Sequence, residues 1–224
     1  MNILTLSGWG QPHDALSIIA HNAQHHDYAG NHSIENALKE IAEVAKNHDA
    51  IIGWSLGGQL ALRAIDAGLM KPKKLILIGV PFQFVRVDDA LGMPTDQFIK
   101  FRDNYQKNPA RTLSKAWELV LLGDTEQQNM RAYFGDSEKA LQKNWLHWLD
   151  ILNGFSCKTI NFANFPDTLI IHGKNDAVVY YAQSQEFLKS IPLSKHIAFD
   201  NAGHAPHWHD AETLKKHIHE FLYV

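Results

Sequence analysis

The chain has 224 residues, of which 45% are hydrophobic and 20% charged, an ordinary globular composition. Its formal net charge of −3 excludes the overall basic footprint of a nucleic-acid-binding protein. No run of about 18 apolar residues is present that would span a membrane, and a single cysteine, Cys157, excludes an internal disulfide framework. Because the N-terminus also lacks the pattern of a secretory signal, we expect a cytoplasmic protein of one or two domains with no nucleic-acid or membrane partner.

Short apolar runs alternate with amphipathic segments along the chain. Strands are predicted at residues 2–6, 50–54, 74–80, 168–171 and 196–199, with a weak one at 24–28. Helices are predicted at residues 34–46, with Ser33 as the N-cap, and at 57–68, 181–190 and 211–222. Near-continuous apolar strands that alternate with helices indicate an α/β fold, with a parallel sheet covered on both faces.

The segment from residue 81 to about residue 164 contains no convincing strand. Helix starts are predicted with Thr95 as one N-cap and with Asn108 as another, the second followed by Pro109 at the first helical position. Three of the chain's six tryptophans fall in this segment, namely Trp117, Trp145 and Trp148. We therefore predict one domain, with a core at residues 1–80 and 165–224 and a helical lid at about 81–164.

A candidate nucleophile, Ser55, lies in the sequence Gly53-Trp54-Ser55-Leu56-Gly57-Gly58, which matches G-x-S-x-G. The motif follows a predicted strand and opens a predicted helix, which is the context that its chemistry requires. A tight strand-to-helix turn exposes the serine hydroxyl, and the helix N-terminus offers N–H groups to a developing oxyanion. The alternative is a glycine-rich turn with an incidental serine.

Two further motifs supply a base and an acid at the ends of later strands. His204 lies in the loop Asn201-Ala202-Gly203-His204-Ala205-Pro206, and Asp176 ends the sequence His172-Gly173-Lys174-Asn175-Asp176. Open parallel sheets carry their sites at the carboxyl ends of the strands, and the order Ser, Asp, His is the one found with the serine motif. We predict that His204 accepts the proton of Ser55 and that Asp176 fixes its tautomer. Either residue by itself is equally typical of a solvated loop.

With these motifs the chain resembles the α/β-hydrolase superfamily over nearly its whole length. The sequence Gly8-Trp9-Gly10 is similar to the oxyanion loop of that superfamily, usually written H-G-W-G, with Ser7 in place of the histidine. The resemblance implies a mostly parallel sheet flanked by helices, with a helical lid insertion. It also implies an oxyanion hole built from the N–H groups of Trp9 and Leu56, and chemistry that needs no cofactor.

Within the superfamily, the motifs most resemble the pimeloyl-acyl-carrier-protein methyl ester esterases of biotin synthesis. The lid sequence from Arg111 to Gly123 is also similar to theirs. The resemblance implies an acyl-binding role for Trp9, Trp117, Leu119 and Val120. Two alternatives stay open, a general carboxylesterase for small free esters and a ligand-binding protein that keeps the fold without turnover.

The predicted lid carries a local excess of positive charge. Between residues 100 and 115 the cations Lys100, Arg102, Lys107, Arg111 and Lys115 face one acidic residue, Asp103, which leaves +4 (five minus one). A basic face would attract an acidic acyl carrier protein and raise its encounter rate. Lys107, Arg111 and Lys115 are the candidate partner-binding residues, and an ordinary solvated helix surface is the alternative.

The 14 histidines of the chain raise the question of a metal site. His204, His207 and His209 lie close together in sequence, and histidine is a common zinc ligand. However, Pro206 interrupts a regular helical presentation of these side chains, and no H-E-x-x-H or paired-cysteine spacing occurs. The sequence therefore predicts no metal site.

Overall fold

A parallel β-sheet forms the centre of the fold in a computed structural model that describes residues 1–86, 91–135, 137–141 and 143–223. Its strands are β1 (Ile3–Leu6), β2 (Gln24–His26), β3 (Ala50–Trp54), β4 (Lys74–Ile78), β5 (Asp167–Gly173) and β6 (Ser194–Phe199). They lie in the order β2-β1-β3-β4-β5-β6, and every neighbouring pair is parallel. The predicted α/β class is confirmed.

The described helices cover the sheet and form the segment inserted between β4 and β5. They are α1 (Ile34–Ala45), α2 (Leu56–Asp66), α3 (Thr95–Lys107), α4 (Pro109–Leu121), α5 (Gln127–Met130), α6 (Ser137–Leu141), α7 (Trp145–Asn153), α8 (Ala182–Ser190), α9 (Pro206–His209) and α10 (Ala211–Tyr223). None of the helices in the described part of the chain combines the length and apolar composition needed to cross a membrane.

Alternation of side chains along the central strands creates a core on each face of the sheet. On β3 and β4, Ile51, Leu75 and Leu77 join one buried cluster, and Ile52, Ile76 and Ile78 join the other. Helices α1 and α2 pack on the first face and α10 packs on the second. Because both faces are covered, these strands are apolar without interruption, which is why they were recognisable in the sequence.

The last strand, β6, is less buried than its sequence led us to expect. The apolar run at residues 196–199 predicted burial on both faces, but Ser194–Phe199 is only partly buried, with Lys195 exposed. The reason is its position, since β6 is the edge of the sheet beyond β5.

Of the two N-caps predicted in the inserted segment, the structure has one. Asn108 caps α4 as predicted, because its side chain accepts a hydrogen bond from the Arg111 N–H. The predicted cap at Thr95 is wrong, since Pro94 occupies the N-cap position of α3. The Thr95 hydroxyl instead donates to the carbonyl oxygen of Arg86, at 3.0 Å.

Candidate active site

Ser55 lies at a sharp turn between β3 and α2. Its backbone has φ +52° and ψ −119°, and a positive φ is strained for a residue with a side chain. The turn also needs small neighbours, because a Cβ atom on Gly57 would collide with the carbonyl oxygen of Leu6. The geometry is that of the nucleophile turn which G-x-S-x-G demands.

Ser55 and His204 are brought together at the carboxyl end of β4. The Ser55 N–H donates to the carbonyl oxygen of Ile78 at 2.9 Å. The His204 ring packs against Gly79, the residue that follows Ile78. A Cβ atom placed on Gly79 would lie 3.2 Å from the His204 ring atoms Cε1 and Nδ1. Both side chains line one cavity between the sheet and the inserted helices.

Asp176 pairs with His204 inside the protein. The two atoms involved, His204 Nδ1 and Asp176 Oδ2, are 2.7 Å apart, and both side chains are almost completely buried. The other carboxylate oxygen, Oδ1, accepts the N–H groups of Val178 and Val179, each at 2.8 Å. Burial by itself would raise the pKa of Asp176, but His204 and hydrogen bonds from His172 and His204 hold that pKa below its usual range. The carboxylate is therefore ionised and oriented toward the imidazole.

The loop that carries His204 is tied to the inserted segment by backbone hydrogen bonds. The His204 N–H donates to the carbonyl oxygen of Val120 at 3.1 Å. The preceding N–H, of Gly203, donates to Asp124 Oδ2 at 2.9 Å. From the core side, Trp54 Nε1 donates to the His204 carbonyl oxygen at 3.0 Å. The base is thus held from both sides of the cavity.

The two backbone groups expected to bind an oxyanion flank Ser55. Leu56 is the first residue of α2, so its N–H has no partner in the preceding turn of the helix. The turn before Trp9 runs beside the serine, where a Cβ atom on Gly8 would lie 3.4 Å from the Ser55 Cβ. The Trp9 indole donates to the carbonyl oxygen of Trp145 at 2.8 Å, which anchors this turn to the inserted helices.

The cavity beside Ser55 has a volume of about 80 Å³. Of the residues expected to bind an acyl chain, Trp9, Leu119 and Val120 line it. Trp117 does not: its indole stacks on Phe134 and its Nε1 donates to the carbonyl oxygen of Gly10 at 2.9 Å. The side chain therefore points away from the cavity, and its neighbour Ala116 contributes to the wall instead.

The cations of α3 and α4 divide into paired and unpaired groups. Lys100 pairs with Asp96 at 3.4 Å, and Arg102 pairs with Asp150 at 2.6 Å, so the excess counted along the sequence is smaller in the fold. Lys107, Arg111 and Lys115 are exposed. Within the described residues, the structure assigns these three cations no ion pair, so their charges face solvent.

The clustered histidines have separate surroundings. His207 is completely buried against the Trp54 ring, with centroids 4.5 Å apart, and burial holds its pKa well below the ordinary value. His209 Nδ1 lies 2.8 Å from Asp124 Oδ1. Among the residues that the structure describes, no group of three or more His, Cys, Asp or Glu side chains could hold a metal ion.

Two residues near the site were missed in the sequence. Asp124 follows the end of α4 and has the local sequence of an ordinary loop aspartate. Its hydrogen bond to the Gly203 N–H could therefore not be predicted from the neighbouring residues. His172 did carry a signal, because it is a polar residue that directly follows the apolar run at residues 169–171 of β5 and is itself buried. Its Nε2 lies 3.1 Å from Asp176 Oδ2.

Comparisons with known proteins agree with the fold. A model of the Alpha/beta hydrolase family matches residues 3–216 of the chain. A solved esterase from Exiguobacterium antarcticum superposes with a TM-score of 0.84 at 17% identity, covering 100% of this chain and 92% of the other. The chain belongs to the alpha/beta hydrolase family.

Curated relatives are more specific but distant. The chain is 26% identical over 84% of its length to the biotin biosynthesis bifunctional protein BioHC of Teredinibacter turnerae, and it spans only 35% of that protein. It is also 26% identical to a pimeloyl-[acyl-carrier protein] methyl ester esterase of Nitrosomonas europaea, over 78% of this chain and 71% of that one. Esterases thus recur among the relatives, in agreement with the predicted class, a hydrolase of carboxylic esters.

Proposed function

We propose that the protein is a serine carboxylester hydrolase with Ser55 as nucleophile, His204 as base and Asp176 as orienting carboxylate. The observation that supports this most strongly is the buried 2.7 Å pair of Asp176 and His204, because His204 lines the same cavity as Ser55 at its strained turn. A serine hydroxyl is a weak nucleophile until a neighbouring base takes its proton, and this arrangement supplies the base.

In the proposed reaction, Ser55 Oγ attacks the ester carbonyl while His204 Nε2 takes its proton. The N–H groups of Trp9 and Leu56 stabilise the oxyanion of the tetrahedral intermediate. His204 then gives the proton to the departing alcohol, which leaves Ser55 acylated. Water, deprotonated by His204, attacks the acyl group and releases the acid, and the proton returns to Ser55.

A fluorophosphonate tests the nucleophile directly, because it phosphonylates an activated serine and releases fluoride. We expect one adduct, on the tryptic peptide 47–63, in which Ser55 is the only serine. The measurement is peptide mass spectrometry of native protein, with heat-denatured protein as the control. Labelling at another residue, or equal labelling of the denatured chain, would contradict the assignment.

For the substrate, we propose the methyl ester of an acyl chain carried on an acyl carrier protein, specifically a pimeloyl chain. The names of the curated relatives support this choice. The cavity beside Ser55, at about 80 Å³, is small beside the roughly 300–1,000 Å³ of most ligand sites, so a longer acyl chain would extend beyond it. As it stands, the cavity accommodates an ester group with a small alcohol and only part of a longer chain.

The unpaired cations supply a reason for a carrier protein to dock beside this cavity. Arg111 and Lys115 are four residues apart on α4 and therefore share a face of the helix. Leu119 and Val120, on the wall of the cavity, follow on the same helix. With a rise of about 1.5 Å per residue, Lys115 lies roughly 6 Å along the axis from Leu119. An acidic carrier held at this face would present its acyl group near Ser55.

Charge reversal distinguishes a carrier-bound ester from a small free one. Changing Lys107, Arg111 and Lys115 to Glu should lower kcat/KM for the carrier-protein methyl ester by roughly 10- to 100-fold, because electrostatic steering is lost. The rate on the free methyl ester should be unchanged. Both substrates are measured at low and high salt, and the loss should shrink as salt screens the charges.

The matched control for charge reversal places the same change of net charge elsewhere. Lys39, Lys71 and Lys216 are exposed lysines outside the inserted segment, and changing them to Glu should leave both rates near those of the wild type. If the wild type cleaves both esters at equal rates, and the first variant changes neither, a general esterase for small free esters is the correct assignment.

A further inference from the structure

His172 is a buried polar residue on β5 with no part in the proposed reaction. Its side chain is 1% exposed, and its ring packs edge-on against Tyr181, with centroids 6.0 Å apart. The burial of a polar group costs free energy unless its hydrogen bonds are satisfied. The partners of this ring therefore indicate what it does.

The protonation of His172 follows from those partners. Its Nε2 lies 2.8 Å from the carbonyl oxygen of Val179 and 3.1 Å from Asp176 Oδ2. Both atoms are acceptors only, because the carboxylate is ionised, so Nε2 must carry a hydrogen, which the two acceptors share. The imidazole thus connects the strand that precedes Asp176 to the loop that follows it.

The hydrogen bond from His172 completes the set of donors around the Asp176 carboxylate. Oδ1 accepts two backbone N–H groups and Oδ2 accepts the Nδ1–H of His204, while His172 Nε2, whose hydrogen is shared with the Val179 carbonyl oxygen, lies 3.1 Å from Oδ2. A carboxylate offers about four acceptor positions, and here three hydrogen bonds and the shared contact of His172 face them. Of the two imidazoles, only His204 has to exchange protons during the reaction.

We propose that His172 is a positioning residue, which keeps Asp176 Oδ2 aimed at His204 Nδ1 through the proton transfers of the catalytic cycle. This inference rests on the proposed function. His172 is buried on β5 and paired with Ala198 of β6, so it gives Oδ2 a fixed donor. The interaction gains importance as His204 becomes an imidazolium, because the energy of that ion depends on the placement of the carboxylate.

Two substitutions of His172 distinguish a role in positioning Asp176 from a role in packing. His172→Gln keeps an N–H donor at a similar reach, whereas His172→Met keeps the length and loses the donor. With p-nitrophenyl acetate, we expect His172→Met to lower kcat by roughly 10- to 100-fold, the effect of one hydrogen bond to a charged group. KM should stay nearly constant, because the interaction acts in the transition state. His172→Gln should restore most of the lost rate.

His196→Met is the matched control for the histidine variants. His196 lies on the neighbouring strand β6, partly buried beside Tyr181, with ring centroids 5.6 Å apart. It does not bond to Asp176, so its replacement should leave kcat unchanged. Thermal unfolding of each variant shows that the fold is retained.

A readout that needs no variant is long-range ¹H–¹⁵N NMR of the wild type, where a hydrogen on His172 Nε2 is expected.

Failure of this inference can be told from failure of the proposed function. If the wild type does not hydrolyse esters, or if Ser55→Ala hydrolyses them equally well, the proposed function itself is wrong. If Ser55→Ala is inactive while His172→Met keeps the wild-type kcat, the positioning role alone is wrong. A neutral His172 with its hydrogen on Nδ1, or a Gln variant as slow as the Met variant, would also overturn it.

Discussion

Ser55→Ala should lose at least roughly 10⁴-fold in kcat for p-nitrophenyl acetate, because no other group can form the acyl intermediate. The backbone at residue 55 has the same positive φ with alanine as with serine, so neither the turn nor the buried core beneath it should change. We expect an unchanged unfolding temperature and a complete loss of fluorophosphonate labelling. The measurements are steady-state hydrolysis, thermal unfolding and mass spectrometry.

Ser184→Ala provides the comparison for that experiment. Ser184 is another buried serine, on α8, whose hydroxyl donates to the carbonyl oxygen of Tyr181. Its loss should leave hydrolysis near the wild-type rate. If Ser55→Ala retained full hydrolysis, the serine mechanism would be excluded. Wild-type protein that neither hydrolyses esters nor reacts with fluorophosphonate would favour the alternative, a binding protein that keeps the fold without turnover.

Asp176→Asn should lower kcat by roughly 10⁴-fold, through the tautomer of His204. The amide must place its oxygen where Oδ1 is now, because two backbone N–H groups point there. Its NH₂ group then faces His204 Nδ1 in place of Oδ2. To accept that hydrogen bond, the imidazole must move its own hydrogen to Nε2, and it can no longer take the proton of Ser55. KM should change little, because binding does not depend on the tautomer.

Asp200→Asn is the control for Asp176→Asn. Asp200 is exposed and pairs with Lys174 in the same region of the chain, so removal of its charge should not alter the rate. An Asp176→Asn variant with more than about a tenth of the wild-type kcat would show that the carboxylate does not set the tautomer of the base. Hydrolysis is measured at several pH values, so that a shifted profile is not mistaken for a lost rate.

The central strands β3 and β4 could be predicted from the sequence because they are almost completely buried. Residues 50–54 and 75–78 are apolar on successive positions, which requires cover on both faces, and the structure supplies that cover with helices. The burial of the edge strand β6 was harder to predict, because an apolar run has the same sequence pattern whether one strand or two strands lie beside it. Its partial burial follows from strand order, which the sequence does not state.

The candidate triad was also predictable, because each member occupies a local motif at the end of a strand. Ser55, Asp176 and His204 come from three distant parts of the chain, but parallel strands place all their carboxyl ends at one edge. Glycines at the turns marked these places, since side chains there would collide with neighbouring backbone. The chain order of the motifs is the order found with this serine motif.

The walls and supports of the site were decided by tertiary packing. A helix turns by about 100° per residue, so Leu119 and Val120 face the cavity while Trp117 packs against Phe134, a distinction that the resemblance alone did not make. Ion pairs that cross the fold, such as Arg102 with Asp150, set which cations stay unpaired.

By itself, then, the sequence determined the α/β class, the strands and the three candidate catalytic positions, since each depends on short-range pattern. The tertiary structure decided how those groups are supported. His172 reaches Asp176 from inside the sheet, and α4 holds the backbone of His204 through Val120. Such contacts depend on the directions of side chains and carbonyl groups after packing, and local sequence does not encode these directions.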